Sequence, residues 1–452
     1  MVAKISVYEQ LAGNTPTTAQ ATALGGHTYT NLKQDQLTKN VIGANGNLYP
    51  SPMSNNPIGA LKVHGSFEDA TGVLGYTLHT VLVSPVPFYG LRIKMFNMTT
   101  VACVNVVAGV ASCADISASI LGNSSAPLQV TVGGATSWTL PAASANGNTV
   151  NAVWSETFSD WMPCVSIPRT DGGPGYLICI RLQTPSAGNT NANRCGGMAS
   201  LAADVNNFGA GGTCASGDFT FANWGSMTAS VNGLGCPVGV ELLTAQASQT
   251  VAIFGDSTFC GADGTFSNGG AAVQAYMSML KTSNFAGPWM LWNQGEASMN
   301  SQTYLQLCKN FCQYDVKPNV MVYCGFSPND VDRFTVSGTN RQIAGIMQFL
   351  HEARKKGSQP ILVTPCPVGG GAAGQNLTTA QEAFRVQVVN ATKSIGTAFG
   401  IDVIDRDALY TNYSSGGIGG FIQSPVVLGG NISYVHPSVA GYAQELFCGR
   451  MS

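Results

Sequence analysis

The chain has 452 residues, of which 44% are hydrophobic and only 10% are Asp, Glu, Lys or Arg, against roughly 25% charged in an average globular protein. Its net charge of -2 supplies neither the basic field that nucleic acid needs nor a polybasic membrane patch, so nucleic-acid binding is disfavoured. No run approaches the roughly 20 apolar residues of a membrane helix, and the length predicts two or three domains.

With 54 glycines and few charges, the surface is built from Asn, Ser, Thr and Gly. Such surfaces suit secreted and virion-exposed β-rich proteins, so an extracellular or virion-associated location is expected. Glu9 stands where a secretion signal needs its apolar region, so no signal peptide is visible. The 13 cysteines include no Cys-x-x-Cys pair, which argues against a zinc site; no metal or cofactor is expected. Cys103, Cys179 and Cys324 sit in strand-like runs and read as small buried apolar residues. Cys195, Cys214 and Cys236 lie in Gly-rich stretches and are the candidates for pairing.

Residues 1–60 are polar and weakly periodic, and read as a leader or arm ordered only by packing on something else. Residues 61–245 are dominated by short β-type runs, among them Tyr76–Val83, Tyr89–Phe96, Leu128–Val132 and Tyr176–Leu182. Turn-rich stretches separate these runs, which predicts an antiparallel, sandwich-like accessory domain. Residues 186–236 form a Gly/Asn/Ala-rich stretch too long for an ordinary loop. His27, His64 and His79 have no visible partner in this half and read as structural.

Residues 246–452 change texture. Strands at 251–254, 289–292, 320–323, 360–363 and 401–404 alternate with helices at 271–282, 304–314, 341–356 and 379–399, and a last helix starts at Pro437. That order predicts an α/β fold, a parallel sheet with helices on both faces.

Chemistry-bearing residues stand at the ends of those strands. After Val251–Phe254 comes Gly255-Asp256-Ser257, a sharp turn that presents a hydroxyl at the mouth of the sheet, with Asp256 able to bond nearby amides. The second strand ends in Asn293-Gln294-Gly295, where Gly295 offers a backbone amide. The third ends in Gly325-Phe-Ser-Pro-Asn329-Asp330, where Asn329 offers a side-chain amide. Near the C-terminus His436 precedes Pro437, a favoured first helical residue. His351, the other histidine after Ser257, lies mid-helix among charges, so His436 is the better general base.

These blocks, in this order, resemble the SGNH (GDSL) hydrolase family over about 250–452. The resemblance implies an SGNH/flavodoxin-like fold with Ser257 as nucleophile and His436 as base. The Ser257 amide, Gly295 and Asn329 then form an oxyanion hole. Two features depart from the family pattern. Ser433 stands where the family usually has Asp three residues before His. The third triad member is therefore a carbonyl near Ser433, an acid from elsewhere, or absent. The third block is also longer than the usual Gly-x-Asn-Asp. In addition Trp292-Asn-Gln-Gly-Glu296 is similar to a signature of the sialate O-acetylesterase branch, in which Gln294 would be the donor; Gly295 with Asn329 is preferred here. The activity implied is a serine esterase that removes O-acetyl groups from a carbohydrate polymer. An acetylated glycan is then its partner, with a homo-oligomer or virion assembly left open. Trp289, Trp292, Phe326 and Tyr434 are candidate sugar platforms, although core packing is the commoner fate of such rings. A lipase or lysophospholipase on the same fold and a decayed glycan-binding adhesin are the alternatives.

Overall fold

The computed structural model describes residues 40–42, 48–50, 56–61, 75–97, 100–116, 126–144, 154–183, 210–227, 231–232, 238–260, 289–295, 299–312, 314–366 and 377–411. In chain order, β1 (Asn40–Ile42) and β2 (Leu48–Pro50) pair as an antiparallel ribbon. Next come β3 (Asn56–Leu61), β4 (Tyr76–Ser84), β5 (Phe88–Asn97), β6 (Cys103–Cys113), β7 (Leu128–Gln129) and β8 (Trp138–Leu140). Then follow β9 (Ser155–Phe158), β10 (Tyr176–Gln183), β11 (Ala210–Ser216) and β12 (Val231–Asn232).

Six of these strands form an antiparallel sheet in the order β12-β11-β4-β10-β6-β7, and β8 also pairs with β6. β10 lies between β4 and β6 and is buried almost throughout, which is why Leu177–Leu182 reads as a near-continuous apolar run. The exception within it is Arg181, fully buried. It donates to His79 Nδ1 at 3.0 Å and to the carbonyls of Phe219 and Trp224, and its guanidinium lies 3.9 Å from the Trp224 ring centre. His79 is therefore structural, as expected. Burial, helped by the neighbouring Arg181, holds its imidazole pKa well below the ordinary value. Cys179 departs from its reading as a plain apolar residue, because it is disulfide-bonded to Cys113 across β10 and β6. A thiol and a disulfide are equally apolar, so the pairing leaves no mark on the hydrophobic pattern. Cys103 and Cys324 are buried, as predicted. Cys214 belongs to strand β11 rather than a loop, and Cys195 and Cys236 lie outside the described residues.

The 17-residue strand β13 (Val238–Phe254) joins the two halves. Its first part pairs antiparallel with β3 and β5, and β5 with β9. Leu91, Ile93, Val240 and Leu242 from these strands share one core with Leu78, Leu82, Ile178 and Ile180 of the β4/β10 sheet. The last part of β13 pairs parallel with β14 (Trp289–Asn293) and β15 (Val320–Cys324). β16 (Gln359–Val363) and β17 (Asp402–Ile404) complete a parallel sheet in the order β14-β13-β15-β16-β17. The border expected at 245/246 thus falls within a single strand.

Five α-helices are described: α1 (Ser257–Cys260), α2 (Ser301–Phe311), α3 (Val336–Lys356), α4 (Thr379–Phe399) and α5 (Arg406–Thr411). Side chains of the parallel strands alternate between two cores, as strand geometry requires. Ala252, Phe254, Trp292, Met321, Tyr323 and Leu362 meet α2 and α3. Val251, Ile253, Val322 and Val363 meet Phe259 of α1 and Val388 of α4. α4 matches its predicted bounds and opens on a Thr378/Gln381 capping box. α3 starts five residues earlier than expected, where the Thr335 hydroxyl accepts from Gly338 N. The helices predicted at 271–282 and from Pro437 lie outside the described residues.

Candidate active site

Parallel pairing sets the ends of β13, β14 and β15 side by side: Ile253 is in register with Asn293, and Phe254 with Tyr323. Three turns leave those ends together, and three predicted blocks lie on them.

The first turn is Gly255-Asp256-Ser257. Gly255 is required by close approach, since a Cβ there would lie 2.3 Å from the Phe259 ring. Ser257 heads α1 directly after it. Asp256 is buried and its Oδ1 accepts from Thr258 N and Thr258 Oγ1, both at 2.8 Å. Its carboxyl pKa is nevertheless raised, because loss of hydration outweighs those bonds and the pull of Arg406. Buried Arg406 of α5 fastens the same turn from the other side, donating to Thr258 Oγ1 at 3.1 Å and Thr258 O at 3.3 Å.

The second turn follows β14. Asn293 Nδ2 donates to Phe259 O at 3.2 Å while its Oδ1 accepts from Gly295 N at 2.8 Å. One buried amide thereby ties the Gly295 turn to α1. Gln294 is 1% exposed; its Oε1 accepts from Trp292 Nε1 at 3.1 Å, and its Nε2 has no partner among the described residues.

The third turn follows β15. Ser327 is its hub: the hydroxyl donates to Met299 O at 2.8 Å, accepts from Asn329 N at 3.2 Å and also reaches the Asp256 carboxylate. Asn329 Nδ2 donates to Met299 O at 3.1 Å. An amide nitrogen carries two hydrogens, so one such bond leaves the second free to donate elsewhere. Asp330 is fully buried and accepts from Ser301 N, Ser301 Oγ and Gln342 Nε2 at 2.6–2.9 Å, which locks the turn to α2 and α3.

Ser257, Asp256, Gly295 and Asn329 are therefore on adjoining turns, while His436 and Ser433 lie outside the described residues. The sequence reading overlooked Asn293, Ser327 and Arg406, which hold these turns together. Among the sugar platforms, Trp292 and Phe326 are core residues. Trp292 packs on Phe311 and Tyr314, and neither ring offers a face to a glycan. Tyr434 lies outside the described residues. His351 is exposed on α3, the solvated position expected of it. Among the described residues no cluster of His, Cys, Asp or Glu could hold a metal ion, and no helix is long and apolar enough to cross a membrane.

A search of curated proteins found no match. Among solved structures the chain is similar to a lipolytic protein of the G-D-S-L family from Veillonella parvula DSM 2008, at 17% identity and TM-score 0.33, over 44% of this chain and 95% of that one. It is also similar to the lipase/acylhydrolase from Enterococcus faecalis, at 21% identity and TM-score 0.31, over 44% of this chain and 92% of that one. A third is an acetyl xylan esterase, at 18% identity and TM-score 0.34, over 45% of this chain and 100% of that one. Residues 251–444 match the family described as GDSL-like lipase/acylhydrolase, the segment and the family to which the strand-end motifs point.

Proposed function

We propose that the chain is a serine esterase that removes O-acetyl groups from a carbohydrate polymer. The observation that carries this reading is the joining of three strand-end turns, those of Ser257, Gly295 and Asn329, by Asn293 and Ser327 within the segment that matches the acylhydrolase family. In this reading Ser257 attacks the ester carbonyl while His436 takes its proton. The carbonyl oxygen becomes negative and is met by the Ser257 amide and the free hydrogen of Asn329 Nδ2. The alcohol leaves with the proton from His436, and water then cleaves the acyl-enzyme by the same route in reverse.

The third donor is open to a second reading, favoured by a specific observation. The Gly295 N–H is already bonded to Asn293, whereas Gln294 Nε2 is a buried donor with no partner among the described residues. Gln294 is therefore the alternative to Gly295.

The acetyl and glycan preference rests on the family resemblance and on the β-rich first half, which is proposed as the glycan-binding part. A low-charge surface suits work outside a cell or on a virion. The test is hydrolysis of p-nitrophenyl acetate against p-nitrophenyl octanoate by wild type, Ser257→Ala and His436→Ala. Acetate turnover that falls by about 10³-fold or more in both variants is expected. A preference for octanoate would point to a long-chain lipase, and an inert wild type to a binding module.

A further inference from the structure

Phe326-Ser327-Pro328 stand between Gly325 and Asn329, where the Gly-x-Asn-Asp pattern has a single residue. The longer segment builds a turn of its own. Asp330 N donates to Ser327 O at 3.2 Å, and Ser in the first place with Pro in the second are residues that such a turn favours. Asn329 is carried on this turn, beyond the end of β15, and is half-buried, so packing alone does not fix its side chain.

Hydrogen bonds fix it instead, and they converge on one hydroxyl. Asn329 N donates to Ser327 Oγ at 3.2 Å, and Asn329 Nδ2 donates to Met299 O at 3.1 Å. Ser327 Oγ, on a fully buried side chain, bonds the same Met299 O at 2.8 Å. Its third contact is the carboxyl of Asp256, the residue immediately before Ser257. A hydroxyl has one hydrogen to give, and Met299 O and the Asp256 carboxyl both lie within its reach. Whenever that hydrogen serves Asp256, Asn329 Nδ2 remains the donor to Met299 O. The other Nδ2 hydrogen is then aimed from a fixed anchor. One side chain thereby spans from the nucleophile turn to the turn that carries the proposed oxyanion donor.

We propose that Ser327 is a positioning residue for the reaction: it acts through Asn329, holding that amide at a set distance from the Ser257 turn. The inference rests on the esterase reading above and adds to it a residue that the four-residue pattern does not contain. A catalytic group displaced by about 1 Å can cost roughly 10²-fold in rate. The oxyanion exists only in the transition state and the intermediate, so the loss falls on kcat and spares KM.

The test is steady-state hydrolysis of p-nitrophenyl acetate by the full chain. Wild type is compared with Ser257→Ala, Asn329→Ala, Ser327→Ala and the Ser327→Ala/Asn329→Ala double variant, each first checked by circular dichroism and melting temperature. Ser358→Ala is the control for lost stability: its hydroxyl is also fully buried and donates to Pro318 O at 2.6 Å, but it precedes β16, at the opposite end of the sheet. The expected result is a kcat about 10- to 100-fold lower in Ser327→Ala with KM within about twofold, and no such loss in Ser358→Ala. The double variant falls only to about the level of Asn329→Ala, because Ser327 has nothing left to position. Ser327→Cys fills the same space with a weak donor and acceptor, and it gives the same non-additive pattern if Ser327→Ala does not fold. The proposal is overturned if Ser327→Ala keeps kcat within about threefold of wild type while Asn329→Ala loses it. It is equally overturned if the two losses multiply in the double variant, or if Ser358→Ala loses as much. If Ser257→Ala and Asn329→Ala both match wild type, the esterase reading itself fails and this inference falls with it.

Discussion

Asn329 and Gln294 are both uncharged amides on strand-end turns, yet their bonds differ. Asn329 has one amide hydrogen committed to Met299 O, while Gln294 is anchored through its oxygen and keeps its nitrogen unpartnered among the described residues. If a developing oxyanion is served by Ser257 N, Asn329 and Gln294, then Asn329→Ala and Gln294→Leu each lower kcat by about 10²–10³ with little change in KM. If the third donor is Gly295 N, only Asn329→Ala has that effect on kcat, and Gln294→Leu costs stability instead, because the buried Trp292 Nε1 loses its acceptor. Steady-state kinetics on p-nitrophenyl acetate separate the two cases. The motif residues themselves were legible in the sequence because each is a chemically unusual choice at the end of an apolar run. Asn293, Ser327 and Arg406 were not. Their importance comes from what they reach across the sheet, Phe259 O, Met299 O and Thr258, and nothing local in the chain records those contacts.

At the scale of elements, β10 shows how a strand that reads as uniformly apolar tolerates a buried cation. Arg181 is held by two carbonyls, a ring face and the lone pair of His79 Nδ1, and that last contact requires a neutral imidazole. The sign of the pH effect follows. The folded-state pKa of His79 is depressed below the ordinary 6.5, so on acidification the unfolded chain takes up a proton that the folded chain refuses. The stability this group contributes is present above pH 6.5 and is lost as pH falls below it, by at most about 1.4 kcal/mol per pH unit. His79→Gln keeps an acceptor for Arg181 and cannot titrate, so urea midpoints taken between pH 7.5 and 5.5 should fall more steeply in wild type than in this variant. Equal slopes would mean that His79 titrates alike in both states. The α/β half was legible at this scale because helix periodicity and apolar strands alternate in it. β13 was not legible as one strand: Thr244-Ala-Gln-Ala-Ser-Gln-Thr250 is polar and lies where the register with β3 and β5 shifts, which hides its continuity. β3 lies in a polar stretch and is defined by its partner β13 rather than by its own composition. α1 and α5 have too few turns to leave a periodic signature.

For the whole molecule the question is whether the antiparallel and parallel parts unfold as one. β13 runs through both, and the segment between α2 and β15 adds a second junction. Glu241 of β13 is 1% exposed; it pairs with Arg92 of β5 and accepts from Val316 N at 2.9 Å. Arg92 also meets Asp315 at 3.2 Å. Beside it Tyr314 donates to Glu156 of β9 at 3.2 Å, and its ring lies 3.7 Å from the ammonium of Lys94 of β5. Residues 314–316 of the α/β half are thus fixed on the antiparallel strands by partly dehydrated charges. Such pairs add little net stability against an apolar replacement; Glu241→Ala leaves Arg92 with Asp315 as its one remaining carboxylate among the described residues, so the cost lies at or below the about 3–5 kcal/mol of a fully unmet buried charge. Glu241→Ala also strips the Val316 amide of its acceptor. The expected outcome is a loss of that order in denaturant unfolding. A single transition, coincident by tryptophan fluorescence and far-ultraviolet circular dichroism, is expected in wild type. If the charge cluster is what couples the halves, Glu241→Ala splits that transition in two. If the continuous backbone of β13 is sufficient, the transition moves to lower denaturant and stays single. The second outcome is the one expected, because β13 is laddered to β5 over seven residues before 245 and to β14 over five after it, so neither half can leave the strand without breaking its own ladder.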